Sequence, residues 1–455
     1  MNKNKAIENN ILKQIQPTEN DRKTLSSIIA DITEKVNQEI QIRKINASTT
    51  LVGSTAKDTF LRNNLDVDLF IMFPSNTQKE FMADHVLSMG RTLLDETEEC
   101  YAEHPYIRGI YQDFKIELVP CYNIQDASQK LSAVDRTPLH TNYVIEHITE
   151  QQKNEVRLFK QFLHGIGCYG AEASIQGFSG YLCEILIIQF DSFYNLLTNA
   201  VDWKPGTKIS LLKKKIPSFP ETLIVIDPVD PERNVASAIS PETFNLFKKA
   251  SKAYLKNPKK SFFFPNPIKP WPMEKIKTII QNGLYEYIGI CFPKPDIIDE
   301  NLYPQIRKAC KNIETICTAY GFNVHNILSM VNEKNKQIYL IIQTDKEPIS
   351  ERNTHIGPPM DLEPHQTKFL EKWENNSQVI HGPYEKNKRW YVDIRREYTQ
   401  IQPFIKNVLP SLSLGKHIEP IIKQQFTIMN TEELFKEQFQ EFWTKHLDKK
   451  DTWER

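Results

Sequence analysis

The sequence predicts a multidomain protein of the α+β class, and three observations carry that expectation. Its 455 residues exceed what one hydrophobic core organises and suggest about three domains. Hydrophobic residues make up 40% and charged residues 25%, the balance of an ordinary globular chain with ample material for a core. The apolar periodicity also changes along the chain. Mixed short strands and helices come first, then helices, and then, beyond a proline-rich join, strands and helices again.

These shifts divide the chain into a mixed-sheet head at 1–148, a helical central domain at 149–265, an α/β tail at 266–397 and a helical C-terminal segment at 398–455. In the head, Leu25, Ile28, Ile29, Ile32, Val36 and Ile40 mark one helical face, which predicts a helix from about Thr18 to Arg43. Thr18 and Asp21 form its capping pair. Short strands are expected around Thr49–Val52, Val67–Phe73, Cys100–Tyr111 and Phe114–Pro120, with a helix at Gln78–Leu94. Thr149 and Gln152 make a capping box for a helix reaching about His164. "GIGCYGAEASIQGFSG" is a glycine-rich connection, and "YLCEILIIQFDSFYNLL" predicts a second, deeply apolar helix. Within that helix Glu184 is expected to hold a buried structural hydrogen bond. "DPVDPERNV" has turn chemistry, and "NPIKPWP" marks a boundary.

Composition excludes several classes. Lys+Arg and Asp+Glu stand at 57 each, so net charge selects no partner and any nucleic-acid surface must be a local patch. The seven cysteines include no C-x-x-C pair, which argues against a zinc site or a disulfide scaffold and for a reducing cytoplasm. The opening "MNKNKAIENNILKQIQP" has no apolar signal core, and no apolar run reaches membrane-spanning length.

The chemistry concentrates in "LVGSTAKDTFLRNNLDVDLFIMFP". In a strand, Asp66 and Asp68 share a face while Val67 turns away. Two carboxylates that close repel each other, and burial raises the cost, so a divalent cation is the natural compensation. "DFKIELVPCY" reads as the neighbouring strand, and it sets Glu117 to meet the pair across the ladder. Three converging carboxylates can hold two Mg²⁺ ions, one activating an attacking hydroxyl and one stabilising a leaving pyrophosphate. Gly53 and Ser54, ahead of a short helix, offer backbone N–H groups and a hydroxyl to a phosphate. A D-x-D pair or a Gly-Ser pair alone is commonplace; the weight lies in their order and spacing with a third acid.

Gly53-Ser54 followed by Asp66-x-Asp68 and a later acid resembles the polymerase-β nucleotidyltransferase superfamily. The segments "YAEHPY", "ELVPCY", "SAVDRTPLHTNYV", "NEVRLFKQFL", "CYGAEASIQGFSGYLCE", "DPVDPERNVAS", "RNTHIGPPMD" and "WYVDIRREYT" extend the resemblance over nearly the whole chain. Together they are similar to the archaeal-type, class I CCA-adding tRNA nucleotidyltransferases. The resemblance implies a polymerase-β-like head and template-independent addition of C, C and A to the tRNA 3′ end from CTP and ATP. It implies Asp66, Asp68 and Glu117 as catalytic metal ligands, with Gly53, Ser54, Lys57, His140, Lys160 and Tyr169 around the triphosphate. Arg233 matches a base-reading arginine, His104 and Thr137 sit in matched motifs, and a homodimer is compatible with the family. The chain departs from the family pattern in carrying Asp at the first acid, Glu at the third, and Lys57 where Arg is common. A lysine meets a phosphate as a point charge rather than a fork.

Each carried residue also has a bland reading. His140 suits a surface position, Lys160 a snorkelling lysine, Tyr169 the core, and Arg233 a first helical turn. For the grip on RNA, Lys248, Lys252 and Lys256 fall on one helical face, with Tyr254 and Phe262–Phe264 nearby either to stack on bases or to pack. Arg389 and Arg395, with Lys386, Lys388 and Arg396, flank Trp390 and Tyr391. The resemblance implies that this tail holds the tRNA elbow, read by backbone and shape. The rival readings are a poly(A)- or oligoadenylate-making polymerase, a non-catalytic RNA-binding protein on the same fold, and a small-molecule nucleotidyltransferase.

Overall fold

The computed structural model describes residues 3–62, 66–101, 104–213 and 217–455. The chain forms two compact units, Met1–Pro267 with Lys450–Arg455, and Ile268–Lys449.

The first unit holds two cores. One belongs to a five-stranded sheet of order β1-β2-β5-β4-β3. Its strands are β1 (Ser48–Val52), β2 (Asp66–Phe73), β3 (Asp95–Tyr101), β4 (Pro105–Tyr111) and β5 (Phe114–Tyr122). β2 and β5 run parallel and the other pairs antiparallel. The alternation of "DVDLFIMF" explains β2: Val67, Leu69 and Ile71 are buried in the sheet's core, and the acids take the opposite face. The helix expected from Thr18 is α2 (Glu19–Ile42), closed by the reciprocal Thr18–Asp21 capping box. It lays Leu25, Ile28, Ile32, Val36 and Ile40 on the sheet, each worth about 1.5–3 kcal/mol of burial. α4 (Lys79–Leu93) packs beside it.

Two readings of the head are corrected. The single strand expected over Cys100–Tyr111 is the antiparallel pair β3 and β4; residues 102 and 103 of that stretch, like 63–65 of the acidic motif, lie outside the described residues. No element was expected at the N-terminus, yet Lys3–Ile15 is a helix, α1. It buries Ile11 and Ile15 in the second, helical core.

That second core is built by α5 (Arg136–His147), α6 (Glu150–Ile166), α7 (Gly180–Phe190), α8 (Phe193–Ala200) and α9 (Pro241–Lys256), with the small parallel pair β6 (Thr207–Ile209) and β7 (Leu223–Val225). α6 has the expected Thr149–Gln152 box and ends on Gly167 at φ 75. The one long apolar helix expected from Tyr181 to Leu197 is instead two. Asp191 adopts φ 69, and Ser192 caps the new helix by accepting from the Asn195 amide. Tyr254, Phe262 and Phe263 are buried among the helices, so they pack rather than stand free for bases.

The second unit sandwiches a four-stranded antiparallel sheet, order β14-β8-β10-β9. Its parts are α10 (Met273–Asn282), β8 (Tyr285–Pro293), α11 (Asp299–Tyr320), β9 (Val324–Asn332), β10 (Gln337–Asp345), α13 (Ile401–Val408), α14 (Ile418–Gln424), β14 (Thr427–Met429) and α15 (Gln440–Leu447). Ile338, Leu340 and Ile342 of β10 face α11, α13 and α14, while Tyr339 and Ile341 face α10 and α15. A three-stranded sheet, β11 (Arg352–Pro359), β13 (Arg389–Arg395) and β12 (Val379–Lys386), packs on α12 (Glu363–Trp373). The segment 398–455, expected helical, thus also contributes a sheet strand, β14. Among the described residues no helix is long and apolar enough to cross a membrane.

Candidate active site

The parallel register of β2 and β5 sets Asp68 directly beside Glu117 and Asp66 beside Lys115. On its other side Asp68 pairs with Val52 of β1, so the chain turns into Gly53 at the carboxylate's edge. Gly53 has φ 75, and a Cβ there would sit 1.9 Å from Asp68 Oδ2. Gly53 and Ser54 open a one-turn helix, α3 (Gly53–Ala56), where they were expected ahead of it. Burial, then the charges of Glu117 and Asp66, push the Asp68 carboxyl up to about 7, against the opposing pull of Lys57 and Arg108.

The third acid is in place but engaged. Arg108 stands opposite Glu117 on β4 and donates from Nε to Glu117 Oε1 at 2.7 Å, with Nη2 at 2.6 Å. Among the described residues no three His, Cys, Asp or Glu side chains stand ready-grouped to hold a metal ion. The three acids expected together from the sequence are near neighbours, since the charges of both Glu117 and Asp66 raise the Asp68 pKa, and Glu117 is at the same time paired with Arg108. Arg108 offsets part of the negative charge that Glu117 brings beside Asp68. Arg108 was not among the residues singled out from sequence. Its signal was available, since one cation in the strand "PYIRGIY" shares a face with the acid opposite.

A buried network stands beside the aspartates. Lys57 Nζ donates to Glu184 Oε2 at 2.5 Å, Thr59 Oγ1 to Oε1 at 2.5 Å, and Lys160 Nζ to Oε1 at 3.5 Å. All four residues are buried. Burial pushes the Glu184 carboxyl up, but Lys57 and Lys160 outweigh it and hold the group below its ordinary value. Glu184 thus fulfils its structural role, and its partners include both lysines that the resemblance assigned to the triphosphate. The Tyr169 ring lies tilted against His164, with ring centroids 4.1 Å apart. A Cβ built at Gly180 would meet Tyr169 Oη at 3.2 Å and Lys160 Nζ at 3.7 Å, so these two groups share one small space.

A second carboxylate gathers the remaining site residues. Asp227, fully buried, accepts from His140 Nε2 at 2.9 Å, Tyr181 Oη at 3.0 Å, Arg233 Nη1 at 2.9 Å and the Val229 amide at 3.0 Å. The His140 ring stacks on Tyr181 at 4.1 Å. Burial lowers the His140 pKa despite Asp227, so the neutral ring carries its proton on Nε2 toward the carboxylate. His140 and Arg233 are hence brought together, through an acid that sequence reasoning saw only as a turn residue. His104 is buried with its ring 6.2 Å from Tyr122, and Thr137 lies in the first turn of α5.

On α9, Lys252 and Lys256 are exposed, whereas Lys248 is partly buried and donates to the Trp203 carbonyl. In the second unit Arg389 and Arg395 are exposed at the two ends of β13, and Lys386 pairs with Arg389 across the strands.

Comparison with known proteins agrees along the chain. Residues 31–140 match the family described as nucleotidyltransferase domain. Residues 154–264 match tRNA nucleotidyltransferase, second domain, and residues 285–431 match CCA-adding enzyme, C-terminal domain. The chain is 35% identical to a CCA-adding enzyme of Methanosarcina barkeri over 425 residues, 92% of each chain. It is 36% identical to that of Thermoplasma volcanium, covering 93% of each, and 31% identical to that of Halobacterium salinarum, covering 91% of each. With an α+β nucleotidyltransferase head and this similarity running nearly end to end, the chain belongs to the CCA-adding enzyme family of nucleotidyltransferases.

Proposed function

We propose that this protein adds C, C and A to the 3′ end of tRNA from CTP and ATP, with no nucleic-acid template and with release of pyrophosphate. The observation that carries the reading is the side-by-side placement of Asp68 and Glu117, with Asp66 on the same face and the Gly53–Ser54 turn against Asp68, in a chain of this family. The reaction joins the tRNA 3′ oxygen to the α-phosphorus and breaks the bond to the β-phosphate oxygen. Asp66 and Asp68 fit a divalent cation: two hard carboxylates on one face, with the Asp68 pKa raised by burial and then by the charges of Glu117 and Asp66, beside a turn that keeps room for a phosphate. We take the ions as two Mg²⁺, which Asp66, Asp68 and Glu117 would hold. Bound there, such ions would acidify the 3′ hydroxyl and offset the charge of the departing pyrophosphate.

The chain's own groups supply the rest of the site. Ser54 and the amides of its turn seat the phosphates. Lys57 and Lys160, held by Glu184, add fixed positive charge beneath them, and Tyr169 and His140 border the nucleotide. Arg233 reads the base. Lys252 and Lys256, with a lesser share from Lys248, take RNA phosphates in the first unit; Arg389 and Arg395 do so in the second. A cytoplasmic location fits the seven unpaired cysteines. Pairing of two copies belongs to the same reading, and sedimentation of the purified protein checks it.

Replacing Asp68 with Ala tests the assignment. The wild type extends a tRNA lacking its CCA end by three nucleotides, and the variant extends it by none while binding the tRNA nearly as well. Full activity in the variant removes Asp68 from the site. A long homopolymer made from ATP alone would favour the rival polymerase reading.

A further inference from the structure

We infer that Asp227 is a positioning residue for base choice: it locks the guanidinium of Arg233 so that C and A are accepted and U and G refused. The inference rests on the proposed nucleotide-adding reading.

Asp227 follows β7 and opens the loop that ends at Asn234, where Ile226 and Asn234 bridge. Each carboxylate oxygen has two donors, Oδ1 taking Tyr181 Oη and the Val229 amide, Oδ2 taking His140 Nε2 and Arg233 Nη1. A buried charge so placed is a weak source of stability, since an apolar replacement of the whole group would serve as well. What it supplies is geometry. It ties side chains from α5, α7 and the loop to one point.

Arg233 is held at both ends. Its carbonyl accepts from the Asp227 amide at 3.1 Å, and its amide donates to the Asp230 carbonyl at 2.9 Å. Asp230 in turn takes Lys130 Nζ at 2.8 Å and Arg136 Nη1 at 2.9 Å, which pins the loop. The Arg233 side chain nevertheless remains about one-third exposed at 32%, and among the described residues Asp227 is its side-chain partner. One nitrogen of the planar group is therefore fixed, and the plane of the remaining donors is set with it.

A fixed set of donors discriminates by the ring nitrogen it meets. N3 of cytosine and N1 of adenine are acceptors, whereas N3 of uracil and N1 of guanine carry hydrogen. A locked guanidinium therefore fits C and A and sets N–H against N–H with U and G. An unlocked one can swing to O4 of uracil or O6 of guanine. Selectivity thus depends on the carboxylate behind the arginine as much as on the arginine.

The test measures kcat/KM for CTP against UTP on a tRNA ending at its discriminator base, and for ATP against GTP on a tRNA ending in C-C. In Asp227→Asn both ratios should fall about ten-fold or more, with a smaller fall in kcat for CTP. Tyr181→Phe, which removes one hydrogen bond to Asp227, should lower the ratios less and in the same direction. It decides the matter if Asp227→Asn does not fold. In an Arg233→Ala background, Asp227→Asn should change neither ratio further. The inference is overturned if the variants lower kcat/KM for all four nucleotides by one common factor, or leave both ratios at the wild-type value. A wild type that adds neither C nor A would overturn the functional reading as well, so the two failures are told apart.

Discussion

Gly53 has no room for a side chain, and its φ of 75 is one that L-residues adopt at a cost. Gly53→Ala should therefore lose about 1–2 kcal/mol of stability from the backbone alone. It should also lose roughly 100-fold in activity, because the new methyl displaces the Asp68 carboxylate; thermal melts and single-turnover assays check the two effects separately. Asp68 gives a prediction with a definite sign. Its pKa rises from 3.8 to about 7 on folding, so the native state holds a proton longer than the unfolded chain does. The associated stability is complete below 3.8 and lost as pH climbs through 7. In chelator, Asp68→Asn should thus melt above the wild type at pH 8, with the gap closing towards pH 5. A gap that widens on acidification would contradict this placement. The aspartate pair was legible because period-two alternation fixes which side chains share a face. Arg108 and Asp227 were not singled out. One gains its meaning only from the β4–β5 register, and the other only when three distant segments meet at its carboxylate.

Among the elements, α7 links the two halves of the site. Near its start Tyr181 reaches Asp227, and one turn later Glu184 reaches Lys57, Thr59 and Lys160. Glu184→Ala leaves two buried ammonium groups without their anion and should cost about 3–5 kcal/mol, seen as a lower denaturation midpoint. Replacing Glu184 with Asp should recover part of that loss. The capping boxes of α2 and α6 could be read in advance because each is a local sentence of four residues. The break between α7 and α8 could not, since it depends on Asp191 taking a positive φ that the apolar periodicity on either side conceals. The division of one apparent strand into β3 and β4 escaped because β3, "DETEECY", is mostly acidic and has little β propensity of its own; its strand is defined by its pairing with β4.

At the scale of the molecule, the chain returns on itself. Residues Lys450–Arg455 belong to the first unit, where the Trp453 ring stacks on Phe262 at 5.2 Å and its carbonyl accepts from Ser261 Oγ at 2.7 Å. Trp453→Ala should destabilise that unit by about 3–5 kcal/mol while leaving the second unit's transition in place, which two-probe unfolding would reveal. Composition and periodicity announced several domains, but this return is a long-range contact with no local signature. The central claim concerns the whole molecule acting on a whole tRNA, and one assay tests it most directly. Purified protein is given Mg²⁺, a tRNA ending at its discriminator base, and CTP alone, ATP alone or both, with products resolved at single-nucleotide length. The account predicts two additions from CTP alone, and three additions and then arrest when both are present. A lengthening homopolymer tail from ATP alone, or no addition under any of the three conditions, would contradict it.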